Sequence, residues 1–124
     1  NAANNVPYYV EVKHRNALET WSADPVTFTA NVASIAFSVD DIYAYGNNEI
    51  QVDSKPYNVF AFYSGDVNQD GTIDATDVSA IDNDAQNFVG GYVVTDLTGD
   101  DFVDGTDFVI ADNNAANFVS VVRP

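Results

Sequence analysis

Aspartate recurs through the second half of this chain in two matching blocks thirty residues apart. The first block runs from Asp66 to Val89 and the second from Asp96 to Val119; eleven of the 24 aligned positions are identical. Five acids fall in register, at 66/96, 70/100, 74/104, 77/107 and 82/112. A repeat of this length is one supersecondary unit made twice, each copy too small to bury its own apolar face alone.

Charge sharpens the constraint. The formal net charge is −15, and it is unevenly spread. Residues 1–65 carry seven acids and three bases; residues 66–124 carry twelve acids and one base, Arg123. So dense a negative charge calls for a counter-charge, and it excludes nucleic acid as a partner, since phosphate binding needs clustered Lys and Arg. The spacing of the acids names the counter-charge. A hard cation such as calcium takes six to eight oxygen ligands, and a twelve-residue loop supplies them from positions 1, 3, 5, 7, 9 and 12. In the first block these are Asp66, Asn68, Asp70, the carbonyl of Thr72, Asp74 and Asp77. Gly71 stands at position 6, where the turn demands positive φ. In the second block they are Asp96, Thr98, Asp100, the carbonyl of Phe102, Asp104 and Asp107. Two Ca2+ ions are expected. The second is expected to be held more weakly, because Thr98 is neutral and Asp101 stands where glycine is usual. Ile73 and Val103, at position 8, are expected to pair with each other. The alternative is a pair of solvated acidic turns without metal.

Each loop leads into a helix. Val78, Ile81, Ala85 and Phe88 lie on one helical face, and Phe108, Ala111, Ala115 and Phe118 repeat it. Gly90-Gly91 is expected to stop the first helix. No helical pattern precedes either loop, so each unit is half an EF-hand. The front of the chain has a different period. Tyr8, Val10 and Val12 alternate with Tyr9, Glu11 and Lys13, Val26, Phe28 and Ala30 with Thr27 and Thr29, and Ile35, Phe37 and Val39 with Ala36 and Ser38. Ile50 and Val52 make a short piece, and Tyr57–Tyr63 is apolar on both faces and predicted to be a central strand. The expected fold class is α+β: a small antiparallel β-sandwich or rolled sheet over 1–63, followed by two calcium loop-helix units over 64–124.

The tandem loop-helix pair, with Asp77 and Asp107 at position 12, resembles the dockerin module. The resemblance covers residues 64–120. It implies a non-catalytic extracellular interaction module stabilised by two Ca2+. In the dockerin family, loop positions 10 and 11 and helix positions beyond contact cohesin modules; here these are Ala75, Thr76, Asp82, Asn83 and Asn87, and Gly105, Thr106, Asp112, Asn113 and Asn117. The basic residues often found on such helices are absent, which counts against a cohesin-type partner. The front segment, with Tyr8–Asn16 and Glu19–Ser22, looks like one that precedes such repeats in large secreted bacterial surface proteins, which again implies no enzymatic activity.

The remaining features narrow the setting. There is no cysteine and no methionine. The start at Asn1 without a methionine leads us to expect removal of an upstream signal peptide and an extracellular or cell-surface location. No apolar run approaches the roughly 20 residues that cross a bilayer, so membrane insertion is not expected. His14 reads as a strand residue with no nucleophile beside it. Lys13 and Arg15 are expected to meet the acidic half of this or a neighbouring chain. Residues 1–6 match residues 114–119 at five of six positions, which suggests an N-terminal arm able to occupy another copy. Three readings follow: a calcium-stabilised interaction module with a protein partner; a subunit that self-assembles into a filament or surface layer through that arm or a sheet edge; and a carbohydrate-binding module using Trp21 and surface tyrosines.

Overall fold

A computed structural model describes residues 2–124. The class is mixed α+β. In chain order the elements are β1 (Pro7–Tyr8), β2 (Glu11–His14), β3 (Ala17–Trp21), β4 (Val26–Thr27), two 3-10 turns (Asp41–Tyr43 and Tyr45–Asn47), β5 (Ile50–Asp53), β6 (Val59–Ala61), α1 (Ala75–Gln86) and α2 (Gly105–Ala116). The described residues pack into two units. One contains the residues up to Val12, Thr20–Phe62 and Val122–Pro124; the other contains Lys13–Glu19 and Tyr63–Val121.

The strands do not close into one sandwich or rolled sheet. Among the described residues they form three two-stranded ribbons, β1–β4, β2–β3 and β5–β6. The first pairs Pro7 with Thr27 and Tyr8 with Val26, antiparallel. The third pairs Ile50 with Ala61 and Gln51 with Phe60, then shifts register so that Asp53 faces Val59. Burial explains the difference. Of the fully buried apolar side chains among the described residues, only Ala44 belongs to the front unit. Two stacked sheets need two apolar inner faces, and the alternating apolar residues are half-buried at best, with Ala30, Val39, Ile50 and Val52 exposed. Ile35 and Phe37 are half-buried, yet residues 33–36 have no ladder and 37–39 form a turn. The segment Tyr57–Tyr63, predicted to be a central strand, contributes only β6, and Tyr57 is exposed. Edge-to-face aromatic pairs lie within this unit: Tyr8 with Phe28 and Tyr9 with Tyr45, both at 6.1 Å, and Phe37 with Phe62 at 5.4 Å. The N-terminal segment is tied into the same unit. Asn5 N donates to the Phe28 carbonyl, and the Asn4 side chain exchanges hydrogen bonds with Asn31. Asn1, which belongs to the sequence match at 1–6, lies outside the described residues.

The second unit holds the core. Ile81 on α1, Val103 at position 8 of the second loop and Ala111 on α2 are buried together. Val67, Val78, Ala85, Val89, Val93, Leu97 and Phe108 pack around them. The two repeats are joined reciprocally. Thr72 bridges to Ser120 and Phe102 to Gly90. Ile73 N donates to the Val119 carbonyl at 3.0 Å, and Val103 N to the Val89 carbonyl at 2.9 Å. Ile73 and Val103 are both buried, but each loop takes its backbone partner from the chain that follows the other loop's helix. The expected pairing of 73 with 103 is thereby replaced.

The helix ends also depart from expectation. α1 stops at Gln86, with Asn87 as cap and Phe88 in the left-handed conformation at φ 53°. α2 stops at Ala116, with Asn117 as cap and Phe118 at φ 55°. The Val89 N–H reaches the Asp84 carbonyl and the Val119 N–H the Asn114 carbonyl, the Schellman bond that closes a helix. Both helices therefore end on a left-handed phenylalanine, and Gly90-Gly91 lies beyond the stop. Phe88 and Phe118, expected on the apolar face, are 90% and 87% exposed, because the chain has left the helical spiral before it reaches them.

Candidate functional site

The two loops are built alike from the backbone upward. Asp66 and Asp77, at positions 1 and 12, are fully buried, and so are Asp96 and Asp107. Asn68, Asp70, Thr72 and Asp74, like Thr98, Asp100, Phe102 and Asp104, are exposed. Asp66 accepts the N–H groups of Asp70 and Gly71, both at 3.1 Å. Asp96 accepts those of Asp100 at 3.3 Å and Asp101 at 3.1 Å. Asp77 takes the N–H groups of Val67, Asn68 and Asp74 at 2.9, 3.2 and 3.0 Å. Asp107 takes those of Leu97, Thr98 and Asp104 at 2.8, 2.9 and 2.9 Å. Asp74 with Asp77, and Asp104 with Asp107, also form capping boxes that start α1 and α2. The last acids of each loop are thus helix caps as well as candidate ligands.

Each loop contains two residues of positive φ, at positions 4 and 6. They are Gln69 at 59° and Gly71 at 91° in the first loop, and Gly99 at 76° and Asp101 at 72° in the second. Each loop carries one glycine and one strained residue, in opposite order. The absence of glycine at position 6 of the second loop is matched by its absence at position 4 of the first, so backbone strain does not rank the two.

Electrostatics separates them. Burial pushes the Asp66 carboxyl above its ordinary value; the Gly71 and Asp70 N–H groups act against this, while the charges of Asp77 and Asp70 add to it. At Asp96 burial acts in the same upward direction. The N–H groups of Gly99, Asp101 and Asp100 and the Thr98 hydroxyl outweigh it, and the carboxyl falls below its ordinary value. Among the described residues, no group of three or more His, Cys, Asp or Glu side chains is gathered closely enough to hold a metal ion. The loop carboxylates lie instead on backbone N–H groups. The donor set still suits a hard cation: it is all oxygen, and a carboxylate offers about four acceptor positions, of which Asp66 uses two and Asp77 three on those N–H groups.

Residues remote in sequence complete the loops. Arg15 and Asn16 form the two-residue turn between β2 and β3. Asn16 Nδ2 donates to the Asp96 carbonyl at 2.9 Å. Arg15 donates to the carbonyls of Val93 and Asp96, and its guanidinium lies 3.8 Å from the centre of the Tyr92 ring. Gln69 Nε2 donates to the Asp66 carbonyl at 2.6 Å and to that of Ala17 at 3.2 Å. Asn114 Nδ2 donates to the Ser64 carbonyl at 2.7 Å. Arg15 thus meets the acidic half through backbone carbonyls, and Lys13 pairs with the buried Glu19 at 3.1 Å. Sequence reasoning found the charges but missed Asn16, Gln69 and Asn114, since a neutral amide leaves no pattern in composition or period. The residues that the dockerin resemblance singles out, from Ala75 to Asn87 and from Gly105 to Asn117, are exposed at every named position.

No protein-family model, curated protein or solved structure matches this chain.

Proposed function

We propose that this chain is a non-catalytic, extracellular, dockerin-like module that binds two calcium ions and engages a protein partner. The observation that carries the reading is the duplication of the acid framework. Two twelve-residue loops place Asp at positions 1, 5, 9 and 12, bury the first and last, and order the same N–H groups around them. The raised Asp66 carboxyl reflects burial and neighbouring charges that a divalent cation relieves. When bound, calcium supplies two positive charges to each loop. Asp66, Asn68, Asp70, Asp74 and Asp77 with the Thr72 carbonyl hold the first ion. Asp96, Thr98, Asp100, Asp104 and Asp107 with the Phe102 carbonyl hold the second. The exposed helix positions leave a surface free for a partner, and no long apolar helix is present among the described residues.

Calorimetric titration of the metal-free chain with calcium tests this. Two binding events are expected, and Asp66→Asn and Asp96→Asn should each remove one. A chain that takes up no calcium at millimolar concentration overturns the reading.

A second reading, self-assembly by strand addition, draws on the β5–β6 ribbon. β5 is exposed along its whole length, with Ile50 and Val52 open to solvent; the Phe60 N–H of β6 already donates to the Ser38 carbonyl at 3.0 Å, so the β5 edge is the one this reading offers to an added strand. Electron microscopy of concentrated protein, with and without calcium, distinguishes the two: filaments support assembly, and monomers throughout exclude it.

A further inference from the structure

The two loops differ in the side chain that donates to the backbone carbonyl of position 1. At position 4 of the first, the Gln69 side chain turns back and donates to the carbonyl of position 1, Asp66, at 2.6 Å. At position 4 of the second stands Gly99, with no side chain. The matching carbonyl, that of Asp96, is met instead by Asn16 Nδ2 at 2.9 Å, with Arg15 Nη2 further off at 3.5 Å. Asn16 is 3% exposed, so its amide and the carbonyl it meets have little access to water. The turn that carries it is fixed to the same unit: the Gly65 N–H donates to the Asn16 carbonyl, the Leu18 N–H to the Tyr63 carbonyl, and Leu18 is fully buried.

We infer that Asn16, from the β2–β3 turn, is a positioning residue of the second calcium loop, supplying from about eighty residues away the hydrogen bond that Gln69 supplies within the first. The inference rests on the calcium reading above. Without Asn16 the position-1 carbonyl keeps only the long Arg15 contact at 3.5 Å, and the loop relaxes away from the geometry that aims the Asp96 carboxylate, which binding calcium must then restore. Losing the close donor of a buried acceptor weakens binding on the order of tenfold. The segment Lys13–Glu19 is accordingly part of the second loop's binding apparatus, and a fragment beginning at the first aspartate lacks it.

The difference between the loops suggests its own rescue. A Cβ at Gly99 meets no atom within 4 Å, and Gln69 shows that glutamine is accommodated at this position with positive φ. Calcium titration of the whole chain is compared for wild type, Asn16→Ala, Gly99→Gln and the double variant, with Asp107→Asn marking which binding event belongs to the second loop. Asn16→Ala should weaken that event about tenfold and leave the other within twofold. Adding Gly99→Gln should recover most of the loss, while Gly99→Gln alone changes little. Unchanged affinity in Asn16→Ala, or no recovery in the double variant, overturns the proposal. Hydrogen exchange of the amides at 97–101 in the metal-free chain gives a second readout: faster in Asn16→Ala, restored in the double variant. If wild type binds no calcium, the calcium reading fails by itself, and the exchange rates alone decide whether Asn16 replaces the missing side chain.

Discussion

Phe88 and Phe118 occupy the same point of the two repeats, each in left-handed backbone just past a helix and each almost wholly exposed. A bulky side chain in that conformation carries a steric cost. Neither ring recovers it by burial. Phe88→Gly and Phe118→Gly should therefore stabilise the chain, each by roughly 0.5–1 kcal/mol, read as a rise in thermal midpoint. A fall in stability in both variants shows that the rings contribute to folding in a way their exposure does not reveal. If the variants are stabilised but lose a partner, the strain is kept for binding.

The assignment of Lys13–Glu19 to the repeat unit makes a quantitative prediction. Leu18 and Ile81 are both fully buried, one on β3 and one on α1. Leu18→Ala should cost about 2–5 kcal/mol, the range for a large aliphatic core deletion, as should Ile81→Ala. Denaturant unfolding followed by the hydrogen exchange of α1 and α2 should lose protection in both variants. If Leu18→Ala leaves the helices as protected as in wild type, the strand segment is not part of their cooperative unit.

Glu49 predicts an unusual pH dependence. It is buried, and neither carboxyl oxygen has a hydrogen-bond partner among the described residues. Burial, aided by the charge of Asp41, raises its pKa from 4.5 to about 7. Below 4.5 the group is protonated whether the chain is folded or not. Between 4.5 and about 7 the folded chain holds the proton more tightly, so its contribution to stability falls as pH rises through that window. Above it the loss is complete. At about 1.4 kcal/mol for each pKa unit, the loss is on the order of 3 kcal/mol. Glu49→Gln should remove this dependence, and the difference in unfolding free energy between variant and wild type, measured from pH 4.5 to 8, isolates it. A constant difference across that range shows that Glu49 is not held in the neutral form.

Calcium itself should stabilise by mass action. Each site adds about 2.7 kcal/mol when free calcium is a hundredfold above its dissociation constant. Chelation should therefore lower the thermal midpoint and raise hydrogen exchange over residues 66–119 before it affects β1, β4, β5 and β6. Asp77→Asn keeps the size of the side chain but removes its charge, and should lower both calcium uptake and the protection of α1. A midpoint indifferent to chelator speaks for two solvated acidic turns capped by their own aspartates.

What was legible in the sequence was whatever a short period encodes. The thirty-residue repeat located both loops and the helix that follows each; that Asp74 with Asp77 and Asp104 with Asp107 also cap those helices emerged from the structure. The alternation over Tyr8–Lys13 and the short piece at Ile50 and Val52 marked local extended chain, although the first falls on two separate strands, β1 and β2. These features depend on neighbours within about one turn of helix or one strand, so residue order alone fixes them. The helix stops were harder to read. A left-handed phenylalanine is disfavoured in isolation and is held there by the Schellman bond from Val89 to Asp84 and its counterpart from Val119 to Asn114.

Only tertiary structure decided which pieces meet. Alternation says that one face of a strand turns inward. It does not say whether enough apolar surface exists to stack two sheets, and in the front unit it does not, so the strands remain ribbons. Nor does the repeat reveal that each loop bonds to the chain beyond the other's helix, or that Asn16 meets the Asp96 carbonyl. Such contacts join residues distant in the chain through single hydrogen bonds. They leave no period in the sequence and exist only once packing has brought both partners out of water.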